Sequence, residues 1–355
     1  VRACGGNSSG QLGIGTAALG EPTKDRPDGQ VHGSNTGRAD ATAIPMQVMP
    51  GVTISHVACG AYHTLALTAV GEVYGFGSNV HGELGLGNGE LGRGFRCRHQ
   101  TVPRHITGLE HKDTVEVACG DYSSFAVTSN GEFWSWGGNT MGQLGLGHTK
   151  NTDTPEMCPW ISKEEVLKVA AGAYHTLLLC ANARVLSFGQ NDKGVLGNGQ
   201  RGGPECWTTP QLMEPLLGKG ITDVKCGAMH GVALGKGPKA KNARVFTWGW
   251  NSYGQLGLSG MALGDVCIGG KAVEGLMLKD VVCVAAGAYH TIAVTSDNQV
   301  FVWGDNRFGQ LGVDSTTKHH VGSDVIKCPQ PVTAPREVPF NWSEPSPSDG
   351  DTGVE

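Results

Sequence analysis

Phe76-Gly77-Ser78-Asn79-Val80-His81-Gly82-Glu83-Leu84-Gly85 is a ten-residue box that returns along the chain. It recurs as Trp136 to Gly145, Phe188 to Gly197, Trp248 to Gly257 and Trp303 to Gly312. A further copy opens the sequence, Cys4 to Gly13, with Cys4 in place of the aromatic residue. The leading glycines (Gly5, Gly77, Gly137, Gly189, Gly249 and Gly304) recur at intervals of roughly 50 to 70 residues, the period of a propeller blade or a similar repeat unit. A second motif, small-Gly-x-x-His-Thr, alternates with the first. It reads Cys59 to Thr64, Ala171 to Thr176 and Ala286 to Thr291, and more weakly Cys226 to Gly231 and Cys119 to Ser124.

Between the motifs the chain reads as strand. Thr64-Leu65-Ala66-Leu67-Thr68 follows one motif and Thr291-Ile292-Ala293-Val294-Thr295 another. Turns such as Ser129-Asn130-Gly131-Glu132 come next, and Asn-Gly is the strongest two-residue hairpin signal. A second strand then runs into the aromatic residue, as in Phe133-Trp134-Ser135-Trp136. Pieces such as Pro45 to Val48 and Ile54 to Ala58 supply two more strands upstream. Each unit thus offers about four short antiparallel strands and no helical pattern. Such units arranged radially make an all-β propeller, in which each blade buries its faces against its neighbours.

Composition fits this reading. The 355 residues include 56 glycines, about twice the usual usage of roughly 7%. Hydrophobic residues make up 39% and charged residues 17%, enough apolar surface for a core. The net charge of −5 excludes a chain-wide basic field for nucleic acid. No apolar run approaches the ~20 residues of a membrane-spanning helix. Eleven cysteines without a CxxC pair predict reduced, buried thiols, no disulfide framework and no bound metal, and with them an intracellular protein. The chain starts at Val1 without a signal peptide, so the expectation is that it begins inside a longer protein.

The pairing of the two motifs resembles the repeat of the regulator of chromosome condensation family, over about residues 1 to 340. The resemblance implies a seven-bladed propeller, of which six boxes are visible. The expected organisation is a propeller over 1–339, with a truncated first repeat and insertion loops at 14–43, 88–105 and 199–210, followed by an acidic Ser/Pro-rich tail at 340–355. The segment Pro331 to Pro339 reads as the opening strand of a further unit.

Most repeated residues read as structure. Trp136, Trp248 and Trp303 supply one large aromatic side chain per blade to fill the space between sheets. His63, His175 and His290 sit one per blade, too far apart to act as nucleophile and base, and read as structural histidines bonding backbone in a crowded turn. Cys59, Cys119 and Cys226 alternate with Ala171 and Ala286, a site that asks for a small, buried residue rather than a reactive thiol. No catalytic residues and no cofactor are expected, since no paired acids, metal set or nucleophile elbow appears.

Binding is expected where the repeats differ. Arg93, Arg96, Arg98 and Arg104, with Phe95 among them, form the one basic cluster of an acidic chain, suited to a carboxylate or phosphate partner. A second candidate is the face carrying Tyr62, Tyr122, Tyr174 and Tyr289, with Asp121. The resemblance implies a role for Asp121. The family's founding member exchanges nucleotide on the small GTPase Ran and carries an Asp in a Gly-Asp-x-His box on the GTPase-facing side. Cys119-Gly120-Asp121-Tyr122 matches that position, with Ser123 where the His would stand. The leading reading is a non-catalytic platform for protein partners, a subunit of a larger assembly. Exchange on a Ran-like GTPase and binding to chromatin or RNA are the alternatives.

Overall fold

A computed structural model describes residues 2–3, 9, 11–12, 46–47, 49–87, 99–161, 164–200, 204–236, 243–313, 316–321, 324–329 and 331–338. One unit shows how the motifs become a blade. The inner strand is Ile54–Cys59, and Gly60-Ala61-Tyr62 turns it into a second strand, His63–Thr68. A tight turn ending at Gly71, with φ at +84°, leads to the third strand, Val73–Ser78. Only glycine takes that conformation without strain. The box then carries the chain outward to the fourth strand, His99–His105. All neighbours pair antiparallel, with Thr64 opposite Phe76 and Gly77 opposite Gln100.

Four more sheets repeat this order. Their inner strands are Thr114–Cys119, Val166–Ala171, Ile221–Cys226 and Val281–Ala286. Their second strands are Ser123–Thr128, His175–Cys180, His230–Gly235 and His290–Thr295. We number these blades two to five, after the blade of Ile54–Cys59. In blades one to four the second strand is buried along its whole length. That explains why it reads as an unbroken small and apolar run: both faces meet a neighbouring sheet. Short 3₁₀ turns, Thr107–Leu109, Pro159–Ile161, Glu214–Leu216 and Glu274–Leu276, lead from each fourth strand to the next inner strand. Each buries one apolar residue (Leu109, Ile161, Leu216 and Leu276).

Three details differ from the sequence reading. Val332–Glu337 does not open a further unit; it closes blade five by pairing with Val300–Gly304. Met46–Gln47 pairs with Arg2–Ala3 and belongs to the sheet before blade one, not to blade one. The repeat frame is therefore shifted by one strand, because the box leads into the outer strand of its own blade. The expected loops 88–105 and 199–210 are also shorter than their spans: His99–His105 and Cys206–Leu212 are outer strands. The loop at 14–43 and the tail at 340–355 lie outside the described residues. A two-stranded hairpin, Thr316–Val321 with Asp324–Pro329, is inserted ahead of the last strand. The described residues thus hold five four-stranded blades and one strand pair of a further sheet.

Candidate functional site: the mouth of the central shaft

The five inner strands end side by side at Gly60, Gly120, Gly172, Gly227 and Gly287, around a central shaft. Neighbouring blades touch there through backbone: Ala61 N–H donates to Asp121 O at 3.3 Å and Ala228 N–H to Ala288 O at 2.9 Å. A Cβ on Gly60 would lie 2.3 Å from the His63 ring and 2.5 Å from Gly120 O. The motif glycine is needed because the histidine folds back over it.

Those histidines anchor the rim. Ser124 Oγ of blade two donates to Glu83 O of blade one at 2.6 Å. Its proton is thereby committed, so it accepts from His63 Nε2–H at 3.0 Å. Trp136 Nε1 of blade two donates to the same Glu83 carbonyl at 2.8 Å. One carbonyl and one hydroxyl thus latch two blades. The seam between blades four and five repeats it, with His230 Nε2 to Thr291 Oγ1 at 3.0 Å, Thr291 Oγ1 to Gln255 O at 2.9 Å and Trp303 Nε1 to Gln255 O at 2.8 Å.

The two middle seams are incomplete. Between blades two and three Ser123 stands where the histidine would be, Phe188 offers no N–H, and only Thr176 Oγ1 reaches Gln143 O, at 2.8 Å. Between blades three and four Gly231 stands where the hydroxyl would be. A Cβ there would lie 2.3 Å from the Trp248 indole. His175 accordingly finds no hydroxyl partner among the described residues, and the backbone of His230 is the polar group next to it. The sequence reading had these imidazoles bonding backbone. His63 interacts with the backbone of Ser123 and His175 with that of His230; the sequence did not show the hydroxyls of the next blade that His63 and His230 also reach. Burial keeps them neutral: His63 and His175 are lowered to about 4 and His230 to about 3, since a cation is poorly solvated there.

On this scaffold the residue before each histidine faces outward at the shaft mouth. Tyr62, Tyr122 and Tyr174 form a continuous arc, with ring centroids 6.4 Å apart at both steps. Met229 holds the matching position in blade four. Tyr289 packs instead on Tyr253, at 5.2 Å. The box adds a second tier from its two variable positions. His81 meets Tyr122 edge-on at 5.1 Å. Arg307 lies 4.2 Å over Tyr253 and is held by Asp305 through paired 3.0 Å hydrogen bonds. Phe308 beside it is 86% exposed. The sequence reading named the tyrosines and missed His81, Tyr253, Arg307 and Phe308. Their signal was the x-x of Asn-x-x-Gly, the part of the box that varies.

The mouth itself is a cavity of about 260 Å³ walled by the Cys/Ala-Gly-Ala/Asp ends of all five inner strands. Asp121 is the one charged residue in that wall, and burial raises its carboxyl above the usual range. Glu83 is buried close by, accepting from His81 N–H at 2.7 Å and Ser78 Oγ at 3.2 Å, and burial raises it too. The Tyr122 phenol is raised by desolvation first, then by Tyr174, Tyr62, Asp121 and Glu83. The expectation of buried thiols fails at Cys59 and Cys283, which are exposed, while Cys119 and Cys226 are half-buried at the rim; burial pushes the Cys119 and Cys226 thiols up, which leaves them protonated and poor nucleophiles.

The remaining expected residues divide. Trp136, Trp248 and Trp303 are fully buried. Arg93, Phe95, Arg96 and Arg98 lie outside the described residues. Arg104 is exposed on the outer strand of blade one, opposite Gly75 and apart from the shaft wall. No helix among the described residues is long and apolar enough to cross a membrane.

Comparison with known proteins agrees with this architecture. The human E3 ubiquitin-protein ligase HERC2 is 35% identical over 320 residues, which are 89% of this chain and 6% of HERC2. The ultraviolet-B receptor UVR8 of Arabidopsis thaliana is 33% identical over 274 residues, 77% of this chain and 58% of the receptor. The chain thus spans only a small part of HERC2 and little more than half of UVR8. Among solved structures, Prp20p of Saccharomyces cerevisiae, a protein with binding properties to Gsp1p and histones, superposes with a TM-score of 0.69 at 23% identity, covering 95% of this chain and 73% of Prp20p. Human WBSCR16 gives 0.65 at 22% identity, over 81% of this chain and 67% of that protein. The sequence profile of the RCC1-like domain matches residues 1–343, and with the five blades and their paired motifs this places the chain in the RCC1-like domain family.

Proposed function

We propose that this propeller is a non-catalytic platform for protein partners and that the tyrosine-bearing face around the shaft is its docking surface. One observation carries the reading. Side chains free to vary on a repeat scaffold, the residue before each histidine and the x-x of each box, gather Tyr62, Tyr122, Tyr174, Tyr253, Tyr289, Arg307 and Phe308 on one face. Tyrosine and arginine are the residues that dominate binding energy at interface centres. The basic segment with Arg93, Phe95, Arg96 and Arg98 leaves the box of blade one and supplies a second, electrostatic contact on this reading.

The test is replacement of Tyr62 and Tyr174 by Ser in one variant. Recovery of protein partners should fall while the melting temperature nearly holds, because Tyr62 is exposed and Tyr174 half-buried, outside the cores between the sheets. Unchanged recovery would overturn the assignment of this face.

Exchange on a Ran-like GTPase is a second reading, favoured by Asp121 at the shaft mouth. Release of a fluorescent GDP analogue from Ran, accelerated by the protein and not by an Asp121→Ala variant, would support it. Equal slow release with and without the protein would exclude it.

A further inference from the structure

Asp121 has no packing role that would require an acid. The equivalent residues of the other four blades, Ala61, Ala173, Ala228 and Ala288, line the same wall, so alanine is enough to build it. Among the described residues the Asp121 carboxylate takes part in neither an ion pair nor a hydrogen bond. A partly buried carboxylate without a partner costs stability, and the fold offers no return for it. The rest of the mouth compounds the charge. Glu83 is 1% exposed a short way behind Tyr122, and among the described residues neither acid has a Lys or Arg partner. Tyr62, Tyr122 and Tyr174 each follow a residue of this wall in sequence, and Tyr122 lies close enough to Asp121 and Glu83 for both acids to raise its phenol.

We propose that the shaft mouth receives a basic side chain, arginine or lysine, projected by a protein partner, with Asp121 as its counter-ion and the tyrosine arc around its stem. This rests on the platform reading of the same face and gives the partner its chemistry. A cation there pairs the free carboxylate of Asp121, whereas an anion would meet that carboxylate in the wall, with the acid of Glu83 buried nearby. The small wall residues leave the cavity open to a long, narrow side chain.

The probe is acetyl-Gly-Ser-Arg-Ser-Gly-amide, compared with its citrulline twin, which keeps the shape and loses the charge. Both are titrated to millimolar concentration and followed by amide NMR shifts of the full chain. The arginine peptide should give saturating shifts at Gly60, Asp121 and Gly172. Its affinity should drop about tenfold or more with citrulline or with Asp121→Ala, the scale of one charge-assisted contact. Alanine already serves at four equivalent sites, so this variant should melt like the parent. Equal binding of the two peptides, insensitivity to Asp121→Ala, or shifts confined to the opposite face would each overturn the proposal. Recovery of protein partners separates it from the platform reading. If the Tyr62/Tyr174 variant loses partners and Asp121→Ala keeps them, the platform stands and the basic anchor falls. If neither variant loses partners, both fall.

Discussion

A single atom count separates the histidines of this fold. His63 and His230 each donate to a hydroxyl of the next blade, and His175 has no hydroxyl to donate to among the described residues. Removing a satisfied buried polar group strands its partner, at a cost of about 1–3 kcal/mol, while an apolar replacement of an unsatisfied one is near neutral or stabilising. His63→Met should therefore lower stability by roughly 1–3 kcal/mol and His175→Met should leave it unchanged or raise it, as read from urea midpoints. Equal losses would show that the hydroxyl contacts carry no weight. The same histidines set an acid limit. Their folded values, about 4 and 3, lie below the unfolded 6.5, so below pH 6.5 the unfolded chain takes up the protons. Their contribution is intact above pH 6.5 and is lost as pH falls toward 4, reaching roughly 2 kcal/mol each at pH 5. Glu83 and Glu116, raised by burial, act in the opposite sense, so the clean measurement is differential. Between pH 6.5 and 4.5 the slope of stability against pH should be shallower in His175→Met by close to one proton. An unchanged slope would mean that His175 titrates normally in the fold.

At the scale of the element, the blade seam is where the repeated motifs act together. The box aromatic of one blade lies under the last glycine of the preceding box: a Cβ on Gly85 would come within 2.9 Å of Trp136 and one on Gly145 within 2.9 Å of Phe188. Each tryptophan also donates its N–H across the seam. Trp136→Ala or Trp303→Ala should cost roughly 3–5 kcal/mol, as deletion of a buried aromatic ring does, and Trp→Phe at the same sites about 1 kcal/mol for the lost donor. Calorimetric melting distinguishes these, and a Trp136→Ala protein that melts like the parent would contradict the seam. Much of this was legible in the sequence. The alternation of Gly-x-x-His-Thr with the box marked the second and third strands of every blade, because both motifs sit where the chain must turn tightly. The outer strands were not legible. His99–His105, Cys206–Leu212 and Val332–Glu337 are half-exposed edges with proline and polar residues, and their sequences carry little alternation. The defect between blades three and four was equally hidden, since Gly231 reads as a weak motif copy until Trp248 is seen in the space its side chain would need.

At the scale of the molecule, the two ends of the shaft differ. The end with the box loops carries the tyrosine arc, Arg307 and Phe308. The other end carries the turns between second and third strands and the 3₁₀ connections, where Val70 and Leu278 are 78% and 92% exposed as isolated apolar residues. The sequence pointed to the tyrosines as a set but not to their contacts, which depend on how far each blade rotates from the last. The central claim is that partners dock on the tyrosine face. The most direct test places a photo-crosslinking residue at Tyr62 or Phe308 in one pair of proteins and at Val70 or Leu278 in another, and compares the adducts formed in cells. The account predicts discrete protein adducts from Tyr62 and Phe308 and none above background from Val70 and Leu278. Adducts from Val70 and Leu278, with none from the tyrosine face, would contradict it.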